Sequence, residues 1–321
     1  MRESDGPYRD LFDFCQRLGP RVNRRVHEIL IVAGALDGLG PNRATMKAHL
    51  PEILRAVEQM ARDQEAGQVD LFGSSSQAQT PVLPAFEPLP DWPLLERLEA
   101  EHEALGHYVS GHPLDSVRAW IAGIISCTLD GVDTLREQTR RQRGHDNKVL
   151  LAGQIVAVNR RNEDRVFAAL EDGHGRLEMV VSAEALQDVD SLLSPKNLVL
   201  VEGNLQEDRF NGGTLLRLRR AWTIEDYCTH HGQRLHLSLD SNAPGLDVAL
   251  LEALAPWRNG PARLSFEILT ATARGALDGP TELNLRTPLI LLETLQALPG
   301  VASVKLQLAR PTRPQTDLRE A

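Results

Sequence analysis

The chain of 321 residues has three cysteines, Cys15, Cys127 and Cys228, odd in number and far apart. That excludes a disulfide framework or a zinc cluster and suits a reducing cytoplasm. Aromatic residues make up only 4% of the chain, so few can stand exposed as stacking surfaces. No apolar run reaches the roughly 18 residues that a membrane-spanning helix needs, and the polar start, Met1 to Pro7, is unlike a secretory leader. Positive charge is also short: the formal net charge is −9, which argues against a general nucleic-acid binder. The deficit is uneven, however. Residues 61–146 carry seven Lys/Arg against fourteen Asp/Glu, whereas residues 1–60 carry nine against eight. Phosphates respond to local patches rather than to the total.

Length alone predicts roughly two to four domains. Residues 1–64 read as helical: Leu11, Phe12, Phe14 and Cys15, then Val22, Val26, Leu30 and Ile31, recur at helical spacing. Gly34, Gly38 and Gly40 interrupt them, and Asn42 is an N-cap candidate for a helix from about Arg43 to Gln64. Residues 65–90 are rich in Gly, Ser, Gln and Pro, as a linker is. A second helical segment fills 91–146, broken at Gly111-His112-Pro113. From residue 147 the apolar period changes to two. Strands are expected at Leu150–Val158, Arg165–Leu170 and Arg176–Val181. A helix at Ala183–Leu193 follows, then strands at Leu198–Leu205 and Thr214–Ala221. Three strands, a helix and two strands is the order of an OB-fold barrel, spanning 147–227. Residues 228–321 alternate strand and helix, with strands expected at Leu235–Leu239, Leu264–Leu269, Glu282–Leu285 and Val301–Leu308. The fold class is therefore multidomain α+β: helices first, a barrel in the middle, a small α+β domain last.

Within the linker, Gln68-Val69-Asp70-Leu71-Phe72 offers two large apolar side chains beside a fixed Gln, with no core of their own to enter. A loop folded back on its neighbouring helix is the plain alternative. Gln-x-Asp-Leu-Phe resembles the peptide with which bacterial replication and repair proteins bind the β sliding clamp. Further stretches flank it: Gly6-Pro7-Tyr8-Arg9-Asp10-Leu11-Phe12-Asp13-Phe14-Cys15, Arg21-Val22-Asn23-Arg24-Arg25-Val26-His27-Glu28-Ile29-Leu30-Ile31, Ala33 to Gly40, and Glu103-Ala104-Leu105-Gly106-His107-Tyr108-Val109-Ser110-Gly111-His112-Pro113-Leu114. In that order they resemble the C-terminal third of the α subunit of bacterial DNA polymerase III. The resemblance is strongest over 6–115 and 147–223 and weakest after about 230. It implies an OB domain at 147–227 and a C-terminal domain that binds the τ subunit of the clamp loader. The partners it implies are the clamp, single-stranded and primed DNA, and τ, in the cytoplasm and with no membrane. The chain would then be a fragment, since the family's paired first hairpin would lie before residue 1. A free-standing OB-fold single-stranded-DNA-binding or repair adaptor that docks on the clamp is the alternative.

The turn Gly34–Gly40 resembles one half of a helix-hairpin-helix element, which aims backbone N–H groups at phosphate. Gly38 and Gly40 would serve the backbone approach, and Arg21, Arg24, Arg25 and Arg43 would add charge. An ordinary tight helix connection is the plain reading. On the barrel, Arg160, Arg161, Arg165 and Arg217 are candidates for a single strand's backbone. Phe210, beside an Asn-Gly-Gly turn, is the candidate for base stacking, whereas Phe167, among apolar neighbours, reads as core. His102, Glu103 and His107 are one residue too widely spaced for two ligands on one helix face. No nucleophile–base order and no metal cluster is legible. Polymerisation needs carboxylates holding two Mg²⁺ ions. In the resembled family these lie in a palm domain before the matched region, so no cofactor is expected here and the chain is not expected to polymerise DNA by itself.

Overall fold

A computed structural model of the chain describes residues 6–65, 87–141, 148–162, 165–208, 212–270 and 272–311. The described residues fall into two compact units divided between His112 and Pro113, at the Gly-His-Pro break. The helical stretch 91–146 is thus shared between the units rather than forming a body of its own. No helix among the described residues is long and apolar enough to cross a membrane.

The first unit is helical. Helix α1 (Leu11–Leu18) starts where Asp10 accepts a hydrogen bond from Asp13 N at 2.7 Å, and α2 (Arg24–Val32) starts at Asn23, which accepts from Val26 N at 3.0 Å. Helix α3 (Arg43–Glu65) is capped by Asn42, whose side chain accepts from Thr45 N at 2.8 Å. These short polar caps satisfy amides that a helix cannot satisfy itself. Leu11, Phe14, Cys15, Ile31, Leu50 and Ile53 pack into one core. Helix α4 (Leu94–Leu105) brings Glu101, which has no exposed surface, against the start of α3. Glu101 accepts from Arg43 Nη1 at 2.7 Å and from the amides of Val109 and Ser110 at 2.8 Å each. The Ser110 hydroxyl donates to Oε1, the oxygen that also accepts from Arg43. Arg43 in turn grips Asp37 in the glycine turn with two bonds, 2.9 and 2.7 Å.

The second unit carries the barrel. Its strands are β1 (Lys148–Asn162), β2 (Arg165–Glu171), β3 (Arg176–Ser182), β4 (Leu198–Glu207) and β5 (Thr214–Thr223), closed in the order β1-β2-β3-β5-β4. Helix α7 (Ala183–Val189) follows β3, after α5 (Asp115–Ile121) and α6 (Val132–Arg141). Inward residues at every second position, among them Leu151, Ile155, Leu170, Met179, Val201 and Leu216, fill the interior. Where β4 bends between Glu202 and Gly203, a Cβ at Gly203 would strike the carbonyl of Arg217.

Beyond the barrel, α8 (Ile224–His231) leads into a four-stranded sheet of order β8-β7-β6-β9. Its strands are β6 (Gly232–Asp240), β7 (Arg258–Leu269), β8 (Arg274–Asp278) and β9 (Val301–Leu308). Helices α9 (Leu246–Leu254) and α10 (Leu289–Ala297) supply Leu250, Leu291, Leu292 and Leu295 to a core with Leu235, Leu237 and Leu264. Leu150, Ala152 and Leu200 of the barrel belong to the same core, so barrel and sheet are not separately packed. Two local expectations are corrected. Glu282–Leu285 is not a strand: Thr281–Leu283 is a 3-10 turn and Leu285 makes only isolated bridges, to Arg258 and Ala262. The edge strand at Arg274–Asp278 was not anticipated, because every one of its residues is exposed and no apolar alternation marks it.

The Arg43–Glu101 pair makes a prediction. Burial alone would raise the Glu101 carboxyl, but the Ser110 hydroxyl and the Arg43 guanidinium outweigh it and bring it from 4.5 down to about 2. Its folded pKa lies below its unfolded value, so its contribution is fully present above pH 4.5 and is lost as pH falls toward 2. Removing the partner leaves a buried, uncompensated carboxylate, at a cost of about 3–5 kcal/mol. Hydrogen exchange at pH 7 should show the amides of α3 and α4 opening far more readily in R43M than in the parent chain.

Candidate nucleic-acid interface

The glycine turn between α2 and α3 is built around Arg43. Gly34 has a left-handed φ of 77°, and a Cβ there would collide with the Arg43 guanidinium. Gly38, at φ 92°, borders open space, whereas a Cβ at Gly40 would press on Met46 in the core. Gly38 therefore serves backbone conformation and Gly40 serves packing. Arg43 itself is corrected here. It was expected among the phosphate-facing arginines, yet it is 6% exposed and its guanidinium is consumed by Asp37, Glu101 and the Val32 carbonyl. Both acids push its pKa up, Asp37 most. Arg21, Arg24 and Arg25 are exposed. Arg24 and Arg25 stand at the opposite end of α2 from the turn, about 13 Å of helix away at 1.5 Å per residue. Arg24 pairs with Glu28 at 2.7 Å. The turn is thus not ringed by unpaired cations.

The barrel's outer face is better furnished. In β2, Val166, Ala168 and Leu170 are buried inward; Phe167 has the opposite phase and is only half-buried. It lies outside the interior cluster, which corrects the core reading. Strand register sets Phe167 beside Asn159 on β1 and Val180 on β3, and sets Val180 beside Arg217 on β5, which faces Asn204 on β4. One register row thus places Phe167 and Arg217 on the barrel's outer side, with Asn204 next in line. Arg217 and Arg219 are both exposed, whereas Asn204 Oδ1 is buried and has no hydrogen-bond partner among the described residues. The nearby carboxylate Glu202 is buried and neutralised by Lys148 at 2.8 Å and Arg220 at 2.7 Å, so it does not repel phosphate. Arg160 is half-exposed and pairs with Asp190 at 2.6 Å. The side chains of Arg161 and Arg165 and the whole of Phe210 lie outside the described residues, as do Gln68, Asp70, Leu71 and Phe72. Period-two phase would have found Phe167 from sequence; proximity to apolar neighbours misled.

Burial pushes the Cys15 and Cys228 thiols up to about 12, the opposite of an activated nucleophile. Asp172 spends its carboxylate on the amides of Leu129, His174 and Gly175, each at 2.9 Å. Among the described residues no group of three or more His, Cys, Asp or Glu converges as a metal site. A stacking ring and a cation on one face are what a single nucleic-acid strand needs.

Comparison with known proteins agrees with this geometry. Residues 1–46 match the helix-hairpin-helix motif family, and residues 149–224 match the OB-fold nucleic acid binding domain family. DNA polymerase III subunit alpha of Xylella fastidiosa (strain Temecula1) is 38% identical over 320 residues, covering 95% of this chain and 27% of its own length. The proteins of that name from Vibrio cholerae and Escherichia coli K12 are 32% and 29% identical, each over 95% of this chain and 26% of their own length. The chain is therefore homologous to a region of these α subunits, and spans about a quarter of the length of the curated relatives it matches. Among solved structures, asparaginyl-tRNA synthetase from Pyrococcus horikoshii aligns over 24% of this chain and 19% of its own, at 24% identity and a TM-score of 0.22.

The outer row makes the second prediction. Stacking of one base is worth roughly 1–3 kcal/mol, so F167A should weaken binding of a single-stranded oligonucleotide by about 5- to 150-fold at fixed salt. R217E should weaken it and flatten the dependence on salt concentration. Fluorescence anisotropy across a salt series measures both; unchanged binding in the two variants would remove this face from consideration.

Proposed function

We propose that this chain does the work of the C-terminal region of a replicative DNA polymerase α subunit. It tethers polymerase to the β sliding clamp, to single-stranded and primed DNA, and to the clamp loader, and carries no polymerase chemistry of its own. The observation that carries this reading is the 38% identity to an α subunit over 95% of the chain. A helix-hairpin-helix motif followed by an OB-fold domain supports it.

The tether to the clamp is Gln68-Val69-Asp70-Leu71-Phe72. Its carrier suits that task. The chain leaves α3 at Glu65, and Leu89 is bonded back to the start of the same helix: Asn42 Nδ2 donates to Leu89 O at 2.7 Å, and Leu89 N donates to Thr45 Oγ1 at 2.9 Å. Lys47 lies over the Trp92 ring at 5.3 Å. The two ends are separated by about the length of α3, roughly 33 Å, and the chain between them can extend to roughly twice that. A peptide carried there has length to spare for reaching a partner. For the clamp loader's τ subunit, α9 and α10 offer Val248, Leu251 and Ile290, each more than half exposed, an apolar surface of the kind that partners cover.

Leu71 and Phe72 should each contribute roughly 1.5–3 kcal/mol on burial in a pocket. Against the cost of association, the intact chain should bind with micromolar affinity. In surface plasmon resonance on immobilised β clamp, L71A/F72A should weaken binding a hundredfold or more, with the circular dichroism spectrum unchanged. Undiminished binding of that double variant would refute the tether.

A further inference from the structure

The four-stranded sheet is covered by helices on one face only, where Leu235, Leu237 and Leu264 are buried. The alternate residues of β6, β7 and β9 face the other way. On that open face Arg234 is the register partner of Arg263 on β7 and of Gln307 on β9. Two arginines therefore stand side by side on neighbouring parallel strands, about 4.8 Å apart in backbone. Like charges directly opposite each other destabilise a sheet, so an anion bound between them would relieve the repulsion. Only one is answered internally. Arg234 Nη1 reaches Asp278 Oδ1 at 3.1 Å, an exposed pair of little strength. Among the described residues no carboxylate pairs with Arg263. In a chain of net charge −9, an unanswered guanidinium beside a second one is not a consequence of composition.

The pair does not lie on a flat surface. A cavity of about 510 Å³ opens over it, lined by Arg234, Arg263, Gln233 and Gln307 of the sheet and by His230 and His231 at the end of α8. Among the described residues no carboxylate lines it. His231 stacks on Tyr227 at 4.3 Å between ring centres, which fixes the imidazole at the rim. Burial first, then the neighbouring His230 and Arg220, hold His231 below its ordinary pKa. Guanidinium forks match tetrahedral oxyanions in geometry as well as charge, and the amide and imidazole N–H groups supply further donors.

We propose that this cavity binds a phosphate group, carried either by a nucleic-acid backbone or by a free nucleotide. The site is distinct from the barrel's outer row and does not rest on the clamp or polymerase readings.

The test uses the full chain. Inorganic phosphate is added at constant ionic strength while the imidazole C–H resonance of His231 is followed by NMR. The resonance should move saturably, R263Q should weaken the apparent affinity at least tenfold, and R263K should restore part of it. Arg263 is exposed, so these variants keep the fold. A shift that never saturates, or one unaffected by R263Q, overturns the proposal. Two further arms identify the carrier. If R263Q weakens anisotropy-detected binding of an oligothymidylate while F167A acts separately and additively, a strand backbone is the ligand. If oligonucleotide binding is unchanged by R263Q but the saturable shift is produced by a nucleoside triphosphate, a free nucleotide is the ligand.

Discussion

Four hydrogen bonds end on the carboxylate of Glu101, from Arg43, from the Ser110 hydroxyl and from the amides of Val109 and Ser110. A carboxylate with no exposed surface tolerates nothing less, because burying it unpaired costs several kcal/mol. The consequence runs through the whole first unit. Arg43 cannot leave Glu101, its second hand holds Asp37, and Gly34 must lack a side chain to let the guanidinium pass. The glycine turn, α3, α4 and the 109–110 backbone are thereby held in one arrangement. Of the four arginines that the sequence offers as a phosphate clasp, Arg43 is spent on making the hairpin rigid.

The barrel is the part that matches a nucleic acid binding domain family. There the closed sheet settles which side chains face out, since inward positions are taken by the core. The register then aligns Phe167 and Arg217 across β2, β3 and β5 without any dedicated contact between them. Glu202 on β4 is countered by Lys148 and Arg220. Glu178, exposed on β3 with the same phase as Val180, remains on that side.

Much of this was legible beforehand where the signal is local. Leu151, Ile155, Met179 and Leu216 follow a period of two, so the barrel strands were readable. Asn42 announced the start of α3 as a capping residue does. What failed to show depends on distant partners or on silent patterns. Arg43 looks like any exposed basic residue until Glu101, 58 positions away, is seen to claim it. β8 has no buried residue to betray it. Helix α8 hid between two strands, although Thr223, whose hydroxyl accepts from Asp226 N at 3.0 Å, marks its start. Phe167 was misjudged because neighbours in sequence are not neighbours in a strand: Val166 and Ala168 point the other way.

The central claim is that a single nucleic-acid strand lies across the outer face of the barrel while the first unit's hairpin acts mainly as a rigid support. Hydrogen exchange of the full chain, with and without a saturating oligothymidylate at low salt, tests it most directly. The account predicts slowed exchange in β2, β3 and β5 around Phe167, Val180 and Arg217, with little change in α9 and α10. Slowing confined to the Gly34–Gly40 turn and α2, with the barrel strands unaffected, would contradict it.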